Sequence, residues 1–416
     1  MTQDETITTP LAEELGAGGA QVREGTPGDA VGGRVPRYVA RPPDTAAAQA
    51  LLAAAHRRGL ATVVRGNGTA SDWGAPPRRC DLVLETAALT GIEHAAGDLV
   101  VRVGAGTPLA DLQAELAASG QRLTLDPLVA GGTVGGAVAT GLSGPRRLLH
   151  GPLRDLIIGM TAVRADGVAA SSGGRVVKNV AGYDLGKLHT GALGTLGLIT
   201  SVTFRLHPLP EALRTVSAGA PNPETAQRWT HAVLGSGAVP AAVELDWPET
   251  GPLTLRVLLE GAEGGIDARA RAVAELMEGS GISEGAPAQW GALPGAAGDT
   301  LLKAAVPIGQ VAEAARLLHE AAQDQGTTAA VAGSAGAGVL LAALPASAGA
   351  ASVNGVVRRV RAAVEGGVTV ARPAPALADA ELDLWGEVPG LELMRAVKLR
   401  FDPRGLLAPG RGPGGI

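Results

Sequence analysis

The sequence predicts an α+β protein with two main parts: a domain of glycine-rich turns over residues 34–210, and a cap domain over residues 211–385 whose mainly antiparallel sheet is covered by helices. Three observations predict it. At 416 residues the chain is too long for one ordinary core. Its first half carries three glycine-rich segments, Arg65-Gly66-Asn67-Gly68-Thr69-Ala70-Ser71, Gly131-Gly132-Thr133-Val134-Gly135-Gly136, and the stretch 171–200 ending in GALGTLGLIT. After Pro208-Leu209-Pro210 the pattern changes to a β-α-β-β-α order that runs twice, as in two ferredoxin-like halves.

The elements follow in order. Residues 1–33 are rich in Gly, Thr and acids without periodicity, which predicts a mobile arm. Asp44 or Thr45 caps a helix through Ala47 to Arg58 that Gly59 stops, and a strand over Ala61 to Val64 delivers the chain into the first glycine turn. Leu82 to Glu85 reads as a strand, and Gly91 to His94 with Leu99 to Val103 as a hairpin. Thr107 is placed to cap a helix whose Leu109, Leu112 and Leu116 share one face, with Gly120 as its end. In the second part, strands are expected near 215–219, 241–247, 253–260, 301–306, 328–332 and 339–344, with helices near 223–234, 266–279, 310–325 and 352–365.

Glycine-rich turns directly after strands bring unshielded N–H groups together, and only small residues let a main chain approach a pyrophosphate closely and adopt positive φ. Their order and spacing point to FAD. Composition removes other classes. The net charge of −5 has no basic stripe, which excludes the footprint of nucleic-acid binding. The single Cys80 forms no internal disulfide, and no Cys/His grouping has metal-ligand spacing, so no metal is expected and a reducing, cytoplasmic setting is. The first ten residues lack a signal-peptide pattern, and no uncharged apolar run reaches the roughly 18 residues of a membrane span. Gly182-Tyr183-Asp184-Leu185-Gly186-Lys187-Leu188 has the wrong spacing for a P-loop, and Gly141-Leu142-Ser143-Gly144 for a nucleophile elbow. Two polar clusters remain. Arg146, Arg147, His150, Arg154 and Asp155 form a basic knot in which an arginine fork could hold a carboxylate; Lys178, Asn179, Tyr183 and Asp184 form the other.

The pieces VVRGNGTASDWG, AGDLVVRVGAGTPLADLQAEL, GGTVGGAVATGLSGPRR, GPLRDLIIG, VVKNVAGYDLGKL and GALGTLGLIT, in this order, resemble the vanillyl-alcohol oxidase and p-cresol methylhydroxylase type of FAD flavoprotein, and within it the E-type FAD-binding component of glycolate oxidase complexes. The end, VKLRFDPRGLLAPGR, resembles the family's terminal segment, so the resemblance implies that residues 386–416 return to the FAD domain. It implies that Arg65, Gly66, Asn67, Gly68, Thr69, Ala70 and Ser71 wrap the pyrophosphate; that Thr133, Gly135, Gly136, Thr140, Gly141 and Ser143 form a second wall with Pro127 and Arg147; and that Gly197 and Ile199 close the adenine side. The family's covalent histidine has no counterpart between Arg65 and Gly74, so dissociable FAD is expected.

The resemblance implies hydride transfer from the α-carbon of a small 2-hydroxy acid, of the glycolate or D-lactate type, or of another alcohol, to the flavin. Electrons would pass to a complex containing a sister flavin subunit and an iron–sulfur subunit. Relatives that oxidise 2-hydroxy acids carry a histidine-rich metal site in the cap, whereas only His231 and His319 follow residue 210 here. The family's LNPG pattern is departed from at Ala408, and Leu193 stands where dehydrogenase relatives have Glu. Tyr183, His207 and Arg147 are the candidates near the reacting centre. Two alternatives stand beside the complex subunit: a self-sufficient FAD oxidase or dehydrogenase, and a non-catalytic assembly subunit.

Overall fold

A computed structural model describes residues 5–126, 128–174 and 184–416. The chain opens with α1 (Glu5–Gly16), β1 (Gln21–Glu24), β2 (Tyr38–Arg41), α2 (Thr45–Arg58), β3 (Thr62–Arg65) and β4 (Leu82–Glu85), and the four strands lie in the order β1-β2-β4-β3. β4 runs parallel to β2 and β3, with β1 antiparallel at the edge. The Asp44 side chain accepts from the Ala47 amide at 2.8 Å to start α2, and Gly59 ends it in the left-handed region at φ 69°.

The expectation of a mobile arm over residues 1–33 is corrected from residue 5 onward. Leu15 is fully buried, Glu14 pairs with Arg57 and Arg58 at 2.9 and 2.7 Å, and β1 adds a strand to the sheet. Buried Asp29 accepts from Arg23 at 2.7 and 2.8 Å and from Arg65 at 2.8 Å. The segment is held by partners remote in sequence, which no local periodicity reveals.

A second sheet follows, made from β5 (Ile92–Ala95), β6 (Val100–Gly104), α3 (Leu109–Ala117), β7 (Gln121–Arg122), α4 (Val134–Thr140), α5 (Arg147–His150), α6 (Leu153–Leu156), β8 (Ile157–Val163), β9 (Ala169–Gly173), α7 (Leu185–His189), β10 (Leu198–Arg205) and β11 (His207–Pro208). Five strands pair antiparallel in the order β5-β6-β10-β8-β9, while β7 and β11 form a separate ribbon. Thr107 does not cap α3: Pro108 holds that position, and the buried Thr107 hydroxyl has no partner among the described residues.

The cap contains β12 (Ala212–Ala220), α8 (Pro223–Gly235), β13 (Ala242–Trp247), β14 (Leu253–Gly261), α9 (Glu263–Leu276) and β15 (Gly281–Glu284), then β16 (Thr300–Ala305), α10 (Val311–Asp324), β17 (Ala330–Ser334), β18 (Val339–Leu344), α11 (Ala350–Ala363) and β19 (Gly367–Arg372). Its sheet is antiparallel throughout, in the order β15-β12-β14-β13-β17-β18-β16-β19. Each half has the ferredoxin-like arrangement, fourth strand beside first and third beside second, and the halves join where β13 pairs with β17. The closing strands β15 and β19 are the elements the sequence pattern lacked.

Strand alternation divides the cap sheet into two faces. Val243, Leu245, Leu302, Ala304, Val331, Leu340 and Ala342 enter one core with residues of α8–α11. The intervening residues lie on the opposite face, where Leu301, Leu341 and Ala343 pack with Trp73 of the first domain. Glu244, Lys303 and Ser334 share that second face by register. After β19, α12 (Leu391–Phe401) leads back to β3, where the Thr62 amide donates to Leu406 O at 2.8 Å and the Ala408 amide donates to Thr62 O at 2.9 Å.

Candidate functional site

β3 delivers the chain into residues 66–71 beside the start of α4. Among the described residues, the amides of residues 66–70 have no protein acceptor, so consecutive main-chain donors face a groove of about 80 Å³. The walls require small residues. A Cβ on Gly66 would collide with Thr133 Oγ1, one on Gly135 would lie 2.9 Å from Ala105 Cβ, and Gly68 has φ +80°. Asn67 Nδ2 donates to Gly131 O at 2.9 Å, which ties the first glycine turn to the second. The Arg65 guanidinium is committed elsewhere, to Asp29 and Glu85 at 2.8 Å each, so only its main chain serves the groove. Free amides, absent side chains and a narrow cleft suit a dinucleotide pyrophosphate, so the residues present fit FAD.

Arg411, from the terminal segment, lines the same groove. Its Nη2 donates to Ser71 O at 3.0 Å and Trp73 O at 2.6 Å, and its buried Nε has no partner among the described residues. Burial lowers its pKa to about 10. Leu193, which lines the groove, and Ala408, in the terminal segment beside Thr62, adopt left-handed backbone without being glycine, at φ 52° and 43°. Such conformations are strained for a residue with a Cβ. Ala408 stands where the family pattern has Asn, a residue that tolerates this conformation.

A smaller space of about 30 Å³ continues from the groove. It shares Thr69, Ala70, Gly136 and Thr140 with the groove, and Leu128 and Leu142 with a larger cavity of about 290 Å³ between the first domain and the open face of the cap sheet. Arg147, Glu244, Lys303 and Ser334 line that cavity. Among the described residues the Arg147 side chain makes one hydrogen bond, from Nε to Gly144 O at 3.3 Å, and neither Arg147 nor Lys303 forms an ion pair. Burial lowers the pKa of both cations, and the Arg147 charge adds to the effect at Lys303. Glu244 is half-buried and lines the cavity. Burial pushes its pKa up to about 8, aided by the charge of Asp126 and opposed by the adjacent Ser334 hydroxyl and by Arg147. Among the described residues, neither Glu244 Oε1 nor Ser334 Oγ has a hydrogen-bond partner of good geometry.

Of the residues singled out from sequence, Arg65 to Ser71, Thr133, Gly135, Gly136, Thr140, Gly197 and Ile199 come together around the groove. Gly141 sits behind it, ending α4 at φ 63°. Ser143 lines the larger cavity, where its Oγ accepts from the Leu153 amide at 2.9 Å, and Arg147 also belongs to that cavity rather than to the groove. Pro127, Lys178, Asn179 and Tyr183 lie outside the described residues. His207 lines none of these spaces. Its ring packs 4.6 Å from that of His150 while β11 pairs with β7, and burial followed by neighbouring positive groups lowers its pKa to about 4.

The basic knot also divides. Arg146 binds Asp126 and Glu260, and Arg122 binds the same Glu260, so a buried latch joins the first domain to β14, and of the knot only Arg147 lines the cavity among the described residues. Glu244, Lys303 and Arg411 were missed from sequence. The available signal for the first two was a charge interrupting an apolar strand, in AVELDW and TLLKAA. Among the described residues no group of three or more His, Cys, Asp or Glu is placed to hold a metal, and no helix is long and apolar enough to cross a membrane. Cys80 is buried beside Val31, Val39, Val63 and Val83, which pushes its thiol up to about 11.

Residues 36–172 match the FAD binding domain family, and residues 381–411 match the C-terminal domain of FAD linked oxidases. Among curated relatives, the D-lactate dehydrogenase of Archaeoglobus fulgidus is 34% identical over 45% of this chain and 42% of its own length. The glycolate oxidase subunit GlcE of Escherichia coli is 42% identical over 28% of this chain and 33% of its own. Subunit GlcD of Bacillus subtilis is 31% identical over 58% of this chain and 50% of its own, so the chain spans half or less of the length of these relatives. Two solved structures share the fold. Physcomitrella patens BBE-like 1 aligns with TM-score 0.70, and a chitooligosaccharide oxidase with 0.69; each is 15% identical and covers 95% of this chain and 97% of the other. Residues 36–172 therefore form an FAD-binding domain, FAD is the cofactor, and the whole chain has the α+β fold of these two solved structures.

Proposed function

We propose that the chain is an FAD-dependent oxidoreductase that oxidises the CH–OH group of a small 2-hydroxy acid, and that it works as the FAD-binding subunit of a glycolate or D-lactate type complex with a sister flavin subunit and an iron–sulfur subunit. One observation carries this reading: the amide-lined groove adjoins, through shared wall residues, a cavity lined by two half-buried cations, Arg147 and Lys303, that lack an ion-pair partner among the described residues. FAD, when bound, supplies the acceptor for the hydride leaving the substrate α-carbon. In this reading residues 66–70 hold the pyrophosphate through their amides, with Arg411 adding a positive charge. Thr133, Gly135, Gly136 and Thr140 close the opposite wall. Arg147 presents a guanidinium fork that matches a carboxylate bidentately and fixes the α-carbon for transfer.

The test is the visible spectrum of the purified protein before and after anaerobic addition of glycolate or D-lactate, repeated with the partner subunits. Flavin that bleaches only with the partners supports a complex subunit, and bleaching by the chain alone supports a self-sufficient dehydrogenase. Flavin that neither acid bleaches under any condition overturns the substrate assignment.

A further inference from the structure

We infer that Glu244 is the group that accepts the hydroxyl proton of the substrate, in a site where Arg147 and Lys303 hold the carboxylate of a 2-hydroxy acid. This rests on the proposed function and deepens it. Alcohol oxidation needs a proton acceptor within reach of the reacting hydroxyl. Among the described residues no histidine lines the cavity. Its carboxylates are Glu244 and Asp246, on the same face of β13. Asp246 is paired with Arg256 at 2.7 Å and is 40% exposed, so its lone pairs are engaged and solvated. Glu244 is half-buried, its Oε1 atom is shielded from solvent without a partner of good geometry among the described residues, and its neighbour across the ladder, Ser334, offers a hydroxyl in the same condition.

The charges around Glu244 give it a function. Arg147 approaches from α5, Lys303 from β16, and Asp126 from the loop before α4, while Asp246 and Arg256 neutralise each other. A bound carboxylate satisfies one of the two cations, and the other offsets an ionised Glu244. In the reaction the substrate O–H bond breaks toward the Glu244 carboxylate, which becomes a carboxylic acid. The α-hydrogen leaves with its electron pair to the flavin oxidant, and the C–O single bond becomes a carbonyl. A glutamate lining a cavity with its pKa raised toward neutrality suits this role, because it can take a proton during turnover and release it afterwards.

The test uses the flavin-loaded protein with its partner subunits, comparing wild type with Glu244→Gln. Stopped-flow flavin reduction by D-lactate or glycolate is measured across pH 6–10, and binding of the non-oxidisable anion oxalate is followed through the flavin spectrum. In the wild type, reduction should accelerate with pH through an inflection near 8. Oxalate should bind more weakly above the same inflection, where an ionised Glu244 repels it. Glu244→Gln should keep flavin and oxalate binding, lose the inflection from both profiles, and reduce flavin roughly 10²–10⁴-fold more slowly. Wild-type profiles without an inflection between pH 7 and 9 overturn the assignment even if the variant does not fold. Equal reduction rates in wild type and variant overturn Glu244 but leave the hydroxy-acid reading standing. Wild-type flavin that no 2-hydroxy acid reduces overturns both.

Discussion

Replacing Lys398 with methionine should loosen the FAD site from a distance. Lys398 lies on α12 and is buried; its Nζ donates to Asp402 Oδ2 and Thr195 O at 2.7 Å each and to Leu407 O at 2.9 Å. Asp402 Oδ2 accepts a further bond from the Leu407 amide at 2.7 Å. One ammonium therefore ties the terminal segment both to the loop that ends in Gly197 and to the residues pairing with β3 beneath the first glycine turn. Methionine keeps the length of the side chain but leaves a buried carboxylate and two carbonyls short of a donor. Removing one partner of a buried pair costs about 3–5 kcal/mol. Any part of that loss borne by docking of the terminal segment also withdraws Arg411 from the groove. About 3 kcal/mol expressed in binding corresponds to a weakening of FAD affinity on the order of 10²-fold. Urea unfolding at pH 7 gives the stability change, and flavin fluorescence on titration gives the affinity. The double variant Lys398→Met, Asp402→Leu should recover much of the stability, because removing both partners leaves no orphaned charge. A single variant within about 1 kcal/mol of wild type that binds FAD normally refutes the reasoning.

Three further outcomes follow from the site. Gly66→Val drives a side chain against Thr133 and should yield protein without flavin; a yellow, fully loaded variant places the pyrophosphate elsewhere. Arg147→Met should raise the KM for a 2-hydroxy acid about 10–150-fold, the worth of one charge-assisted contact of ~1.5–3 kcal/mol, with flavin content unchanged. Loss of flavin instead would assign Arg147 to the cofactor. Glu244 also makes stability depend on pH: its folded pKa of about 8 exceeds the unfolded value, so its contribution is complete below about pH 4.5 and is lost as pH rises through 8. The upper bound is about 5 kcal/mol, from 1.36 kcal/mol per pKa unit. Urea midpoints of Glu244→Gln should flatten between pH 5 and 9 relative to wild type, and parallel curves would refute the buried-acid reading.

The turns that line the groove were legible in the sequence because each is local. A strand, a glycine turn and a helix start each leave their own mark, as at Val64 to Ser71 and Thr133 to Thr140, and FAD follows from their order. The doubled cap pattern was legible for a similar reason, since each strand and helix keeps its own period over at least five residues. What failed had only remote partners. Leu15 and Asp29 looked like parts of a loose arm because α2 and Arg65 lie far along the chain. His207 drew attention by lying near the domain boundary, yet the chain spends it on a packed ribbon beside His150. The basic knot suggested one anion site, and Glu260, more than a hundred residues downstream, takes Arg146 out of it.

Glu244 and Lys303 expose the same limit from the other side. Glu244, followed by Asp246, and Lys303 are charges in strands whose alternate residues enter the helix-covered core, which makes them look like ordinary solvent-facing positions. That face of the cap sheet is not solvent, however, because Trp73, Leu128 and Leu142 of the first domain close over it. Once covered, an unpaired charge there becomes costly unless it meets a ligand. The two cations and the acid arise on different elements and acquire a common purpose only through the docking of the two domains. The glycine turns can therefore hold one cofactor while changes on two cap strands alter what is oxidised beside it. On this argument, a substitution at Lys303 should move substrate preference and one at Glu244 should slow oxidation, both leaving FAD affinity near wild type. A loss of FAD binding on their replacement would mean that the cap serves the cofactor rather than the substrate.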